Sequence, residues 1–273
     1  MPNVISAANS KGGVAKTTSS IQLGHELACR GKKVLIIDGD SQRSATKNLG
    51  LDTKPGQPTI YAVLTEPSQG IARAVVTYTG TARYPIRYPD GGRLDLIPGA
   101  KQITEAPASF DKTRDRQPMP TFNHVLPYLI EQYCGAYDTV IIDPSPSTDR
   151  VNQAIMYAAD SIVAPVAAEP MAMDGVQELL ESLQEMNAAR DGLRLAGQIK
   201  LAGLLIAKVY PDQMQLVTTL QQALDGANIP HFGATYVPYT TAGWESTGER
   251  VPIGVYQPDD AAAAAYRVIA QSL

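Results

Sequence analysis

The segment Asn9-Ser10-Lys11-Gly12-Gly13-Val14-Ala15-Lys16-Thr17-Thr18 lies between an apolar run at residues 4–8 and a helix-like stretch at residues 17–30. A glycine-bearing loop between a strand and a helix N-terminus turns its backbone N–H groups inward at the positive end of a helix dipole. That arrangement is a cradle for phosphate, with a lysine to reach the outer oxygens and a hydroxyl for Mg²⁺. The common pattern Gly-x4-Gly-Lys-[Ser/Thr] is not met, because Ser10 and Ala15 stand at its two glycines. The variant Lys-Gly-Gly-x-x-Lys-Thr is met in full from Lys11 to Thr17, so two lysines bracket the loop. The chain must therefore open as strand, loop and helix, with a nucleotide site between them.

The rest of the chain repeats that alternation. Apolar strand-like runs recur at residues 4–8, 34–37, 94–97, 140–142, 162–166, 201–207 and 235–237. Helical patterns lie between most of them, at 17–30, 122–133, 174–189, 214–227 and 259–273. Strands apolar on both faces that alternate with helices predict an α/β fold. Its expected form is a mostly parallel twisted sheet with helices on both faces, as one domain over residues 1–273.

Two of these strands end in carboxylates. Val34-Leu35-Ile36-Ile37-Asp38-Gly39-Asp40 closes one run with a pair of acids, and Val140-Ile141-Ile142-Asp143-Pro144 closes another. Strand ends at the carboxyl edge of a parallel sheet face the ligand crevice. Period-2 alternation points Asp38 and Asp40 the same way, one for the Mg²⁺ water shell and the other for the attacking water. An apolar strand ending in Asp143 is how a Walker B strand offers a carboxylate to Mg²⁺.

Composition narrows the function classes. A net charge of −4 withholds the even basic coat of many nucleic-acid-binding proteins, so DNA contact would need a local patch. Cys29 and Cys134 are far apart without a CxxC pair, and read as buried or half-buried free thiols. His25, His124 and His231 form no metal-ligand cluster with each other or with the cysteines. The short apolar start fits no signal peptide, and no run is long enough to span a bilayer. Within the Pro-, Gly- and Thr-rich stretch 67–120, residues 78–93 interleave tyrosines with Arg83, Arg87 and Arg93, followed by Lys112, Arg114 and Arg116. A solvated surface hairpin is the favoured reading of that segment, and an arm that touches a polyanion is the alternative.

On the phosphate loop, the Asp38-x-Asp40-x-Gln42 motif and Asp143 with its Pro/Ser-rich turn, the chain resembles the ParA/MinD group of deviant-Walker ATPases. It is most similar to the ParA-type DNA-partition ATPases, and to their short form without an N-terminal helix-turn-helix. Residues 165–175, Gly203-Leu204-Leu205-Ile206, Pro252-Ile253 and Ala264-Ala265-Tyr266-Arg267 extend the resemblance over nearly the whole length. It implies ATP and Mg²⁺ as cofactors and a homodimer that closes around both nucleotides. Lys16 would bind the β/γ-phosphates in cis, Lys11 would reach the partner's nucleotide, and Gly12 would permit close approach at the seam. Gly13, Val14, Ala15 and Thr18 complete the loop. Thr17 would ligate Mg²⁺, with Asp38 and Asp143 in its outer shell, and Asp40 would position water. Lys208, in the segment 208–212, and the turn Pro238-Tyr239 would border the adenine.

The implied function is slow, partner-stimulated ATP hydrolysis in the cytoplasm. The ATP dimer would associate with nucleoid DNA without sequence preference, and a ParB-like centromere-binding adaptor would release it. A positioning ATPase for a protein cargo is the alternative. A membrane-cycling MinD-like role needs a basic amphipathic C-terminal helix, whereas residues 259–273 are Ala-rich and should pack on the sheet. An iron–sulfur reductase needs paired cysteines at a dimer seam, and Cys29 and Cys134 are wrongly placed for that. Three departures stand out. Ser41, Arg43 and Ser44 replace the family's usual Pro, Gly and Asn. Ala15 replaces a common Gly, a change that αR geometry would permit. Tyr239-Thr240-Thr241-Ala242 lies where relatives carry a turn with two arginines linked to DNA, which leaves Arg190, Arg194, Lys200, Arg250 or the Arg/Tyr segment as candidates.

Overall fold

The computed structural model describes residues 1–9, 11–116 and 119–273. Ser10 of the loop lies outside them, as does the side chain of Arg116. The strands are β1 (Asn3–Ala7), β2 (Lys33–Gly39), β3 (Val76–Thr77), β4 (Arg93–Ile97), β5 (Thr139–Pro144), β6 (Ser161–Ala167), β7 (Lys200–Val209) and β8 (Val237–Pro238). They form one sheet in the order β3-β4-β2-β5-β1-β6-β7-β8. Every pairing is parallel except β3 against β4 at one edge. The α-helices are α1 (Lys16–Cys29), α2 (Ser44–Asn48), α3 (Ile60–Thr65), α4 (Ala106–Lys112), α5 (Val125–Tyr133) and α6 (Arg150–Met156). They continue as α7 (Ala172–Leu193), α8 (Met214–Gly226), α9 (Thr241–Gly248), α10 (Ile253–Tyr256) and α11 (Ala261–Ile269).

Successive strand residues divide between two cores. Val4, Leu35, Ile37, Val140 and Ile142 join one, with α3 to α8. Ile5, Val34, Ile36 and Ile141 join the other, with α1, α2, α10 and α11. The expected doubly covered parallel sheet is thus present, and it follows from strands whose alternate side chains are all apolar. The Ala-rich C-terminal helix buries Ala262, Ala263, Ala265, Tyr266 and Ile269 against α1 and the sheet, as expected. Among the described residues no helix is long and apolar enough to cross a membrane.

Most of the elements missed in the sequence are short. α2, α3, α4, α6, α9 and α10 span eight residues or fewer, too few to establish a 3.6-residue period. They are held by caps and packing instead: Asp149 accepts the Asn152 N–H at the start of α6, and Thr240 accepts that of Gly243 at the start of α9. β3 is a two-residue antiparallel edge inside the stretch read as loose.

The Arg/Tyr segment does not form an arm. Tyr78 is buried and donates to the Arg250 carbonyl, Tyr84 packs edge-on against Tyr256, and Tyr88 meets His25. Arg83 pairs with Glu249 at 2.7 Å. The rings are apolar bodies seeking cover, so this surface hairpin is docked on the C-terminal helices through its tyrosines, while Arg83 and Arg87 stay exposed. Arg190 is a second correction. It is buried and donates to the carbonyls of Tyr157 (2.7 Å), Ala159 (2.8 Å) and Ala196, so it closes the end of α6 and touches no partner. Arg250 leans on Asp52 at 3.5 Å, and Ala242 packs into the core. Arg194 and Lys200 remain exposed.

Arg190→Met should therefore destabilise the fold by roughly 2–4 kcal/mol, since buried carbonyls lose their donor. Arg194→Ala should stay within about 0.5 kcal/mol. Urea unfolding of the two variants checks both values, and an unchanged midpoint for Arg190→Met would overturn the structural role.

Candidate nucleotide site

The parallel register sets the site. β2 and β5 pair so that Asp38 is the direct partner of Asp143, which places two carboxylates side by side at the carboxyl edge. Both residues are fully buried. Asp38 is held by the backbone N–H (2.8 Å) and hydroxyl (2.6 Å) of Thr46, and it also accepts the N–H of Asp40 at 3.2 Å. Gly99 closes over it, because a Cβ there would lie 2.8 Å from the Asp38 carboxyl carbon. Asp143 accepts from the Ser20 hydroxyl at 2.9 Å and from Thr17, and its second oxygen, Oδ2, is buried without a hydrogen-bond partner.

Burial raises the proton affinity of both acids, that of Asp143 to a pKa of about 8. For Asp143 the adjoining Asp38 raises it further, while the Ser20 and Thr17 hydroxyls oppose the rise. For Asp38 the Thr46 donors oppose it. A buried, unpartnered carboxylate oxygen beside a hydroxyl and a second carboxylate suits a hard cation. Among the described residues no group of three His, Cys, Asp or Glu side chains could hold a metal alone. A Mg²⁺ that takes most of its ligands from phosphate and water fits this donor set.

The loop lies over these acids. Lys16 opens α1, is buried, and donates from Nζ to the Lys11 carbonyl at 2.8 Å. Burial lowers its proton affinity, and Asp143 and Asp40 oppose that shift. No side chain caps α1, in contrast to α6, α9 and α11. Lys11 is exposed, and its amine extends away from this cradle to within contact of Gly175 near the start of α7. Gly12 and Gly13 are exposed, the latter at φ 76°, while Val14 is buried. Ala15 corrects the expectation of αR geometry. Its φ of 70° is left-handed, which is why glycine is common here and why Ala carries strain of about 1 kcal/mol. Arg43, at φ 57°, explains the usual glycine at its position in the same way.

The strand expected to carry Asp40 ends at Gly39, so alternation does not extend to it. Asp40 sits in the following turn and accepts the Gln42 N–H at 2.9 Å. On the other side of the loop a cavity of about 450 Å³ joins Ala15 and Thr18 to Lys208, Pro238, Tyr239 and Tyr210. The rings of Tyr210 and Tyr239 stack at 4.7 Å. Lys208 also has a left-handed φ of 57°, and it delivers its amine to the Gly13 carbonyl at 2.9 Å. The structure thus brings Lys208, Pro238 and Tyr239 together beside the loop. Ser20, Thr46 and Gly99 were not singled out in the sequence; they reach the carboxylates from α1, from the short helix α2 and from the loop after β4, where no motif marks them.

The chain belongs to the AAA domain family, whose model matches residues 2–194, and within it to the ParA-type ATPases. It is 30% identical to the chromosome-partitioning ATPase Soj of Thermus thermophilus, over 98% of this chain and 94% of that one. The fold resembles apo McdA of Cyanothece with a TM-score of 0.75, at 18% identity, over 100% of this chain and 99% of the other. It also resembles cobyrinic acid a,c-diamide synthase of Mycobacterium smegmatis with a bound ATP analogue and magnesium. That TM-score is 0.72, at 26% identity, over 99% and 93% of the two chains.

The raised carboxyls make the nucleotide-free protein pH-sensitive. A native state that holds protons more tightly than the unfolded chain is favoured in acid, and this contribution is lost as pH rises through the folded-state pKa values. Asp143→Asn should remove most of the effect. The variant should melt several degrees above wild type at about pH 8, with a smaller gap at about pH 5. Thermal melts without nucleotide read this directly, and a gap that widens in acid would reverse the assignment.

Proposed function

We propose that the protein is a ParA-type partition ATPase that binds Mg²⁺–ATP, closes as a homodimer and segregates DNA with a ParB-like adaptor. The observation that carries this reading is the divergence of the two loop lysines. Lys16 is buried within the cradle, whereas the Lys11 amine runs outward along the surface toward α7. An outward amine on a phosphate loop serves a second subunit better than its own site. Charge from both subunits would then converge on the γ-phosphate only in the dimer.

In this reading Lys16 binds the β/γ-phosphates, and the N–H groups of Gly12, Gly13, Val14 and Ala15 line the phosphate tail with Thr18 beyond them. Thr17, Asp38 and Asp143 would hold Mg²⁺ and its water shell, and the ion would supply neutralisation of phosphate charge. Asp40 would orient the attacking water. A carboxylate in that role activates water weakly, which suits a slow, adaptor-stimulated timer. Lys208, Pro238 and Tyr239 would flank the base, and the stacked Tyr210–Tyr239 pair supplies an apolar wall. Association with nucleoid DNA would rest on phosphate contacts and fall steeply with salt.

Lys16→Ala should abolish ATP binding, whereas Asp40→Ala should keep it and accumulate a dimer. Lys11→Ala should bind ATP and stay monomeric. Light scattering with ATP, ADP and no nucleotide distinguishes the three, with DNA co-sedimentation on the same samples. An Asp40→Ala protein that remains monomeric in ATP would count against the water-positioning role, and no ATP-dependent DNA retention at low salt would count against the DNA role.

A further inference from the structure

Trp244, the chain's only tryptophan, is 75% exposed on α9. The helix itself fixes that placement. Thr240 caps α9 by accepting the Gly243 N–H at 3.2 Å, and Ala242 and Ser246 are buried on one side. At about 100° per residue Trp244 falls on the opposite side, away from the core. It lines the cavity of about 450 Å³ that adjoins the phosphate loop, together with Ala15, Thr18 and Tyr239. Among the described residues that line this cavity there is no Asp, Glu, Asn, Gln, Arg or His to read the edge of a ligand. Several of its polar groups are already engaged. The Lys208 amine is held by the Gly13 carbonyl at 2.9 Å, the Tyr266 hydroxyl meets Ser19 at 3.0 Å, and that of Thr240 donates to Asp260 at 3.1 Å. The flat faces, by contrast, are aromatic: the stacked Tyr210–Tyr239 pair and the uncovered indole.

We propose that Trp244 is a nucleobase-stacking residue, which grips the purine of the bound nucleotide by its face. A planar ligand is held by its edges or by its faces, and where the edges find few partners the faces carry the affinity. A purine offers a wider face than a pyrimidine and gains more from an indole. Trp244 also borders a second groove, with Glu245, Glu249 and Tyr256. There the carboxylates already have partners: Glu249 pairs with Arg83 at 2.7 Å, and Glu245 accepts from the Tyr256 hydroxyl at 3.0 Å. The cavity beside the loop is thus the side on which a flat ligand would cover the ring. Base and phosphates then have separate grips, the indole for one, Lys16 and the start of α1 for the other. That a nucleotide occupies the cavity rests on the ATPase reading above; the part taken by Trp244 is additional to it.

The test uses the full chain with its single indole as the probe. Saturating ATP or ADP should lower the tryptophan emission, whereas inorganic tripolyphosphate, which occupies the phosphate cradle alone, should leave it unchanged. Trp244→Ala should weaken ATP and ADP at least about tenfold by calorimetry, the scale of one aromatic stack. Its affinity for tripolyphosphate should stay at the wild-type value, and Trp244→Phe should recover most of the nucleotide affinity. Melting curves without nucleotide should match wild type in both variants, since the ring is exposed. The fall in emission should persist in Lys11→Ala, which separates stacking on the base from burial at a subunit contact. An equal response to tripolyphosphate, no response in Lys11→Ala protein that binds ATP, or unchanged ATP affinity in Trp244→Ala would overturn the proposal. Wild-type protein that binds neither ATP nor ADP would overturn the ATPase reading as well, whereas bound nucleotide with the indole unmoved would sink the stacking role alone.

Discussion

The pairing of Asp38 with Asp143 across two buried parallel strands is the constraint around which the site is organised. Register, rather than loop flexibility, puts two like-charged groups side by side in a place without bulk water. Such a pair is costly unless each acid finds donors or a cation. Asp38 is satisfied by Thr46 and by the Asp40 N–H, under the cover of Gly99. Asp143 is satisfied on one oxygen only. The fold therefore holds a local destabilisation that a cation would relieve, and anything that binds the native state preferentially also stabilises it.

Much of this was legible in the sequence, because long apolar strands and a spaced loop motif carry strong signals. The doubly covered sheet followed from residues 34–37, 140–142 and 162–166 being apolar at every position. Asp38 and Asp143 could be placed at the carboxyl edge because each closes such a run. Their direct pairing could not, since register depends on which strands are neighbours, and β2 sits beside β5 rather than β1. Arg190 was misread for a related reason. A single arginine late in a long helix looks like surface charge, and only the carbonyls at the end of α6 show what it serves. The tyrosines of residues 78–88 were equally ambiguous until their partners arrived from the C-terminal helices.

Three of the seven described non-glycine residues with left-handed φ lie near the loop. Ala15, Arg43 and Lys208 all take left-handed φ values, and each lies in a segment that borders the phosphate loop or the acids beneath it. Strain of this kind persists only where surrounding contacts over-determine the conformation. For Ala15 the gain is the start of α1 without a side-chain cap, which leaves the helix terminus directed at the loop. For Lys208 it is an amine on the Gly13 carbonyl, which fixes one wall of the adjoining cavity to the loop. Both devices act on the short stretch from Gly13 to Ala15.

The remaining surfaces differ in charge. The acidic face of α7, with Asp174, Glu178, Glu181 and Glu185, begins beside Lys11 and runs away from the loop, so a polyanion is repelled from the helix that flanks the outward amine. The exposed cations Arg194 and Lys200 lie where α7 ends and β7 begins, at the amino edge of the sheet. The turn that carries arginines in relatives cannot contribute here, because Ala242 is turned into the core and Tyr239 stacks on Tyr210.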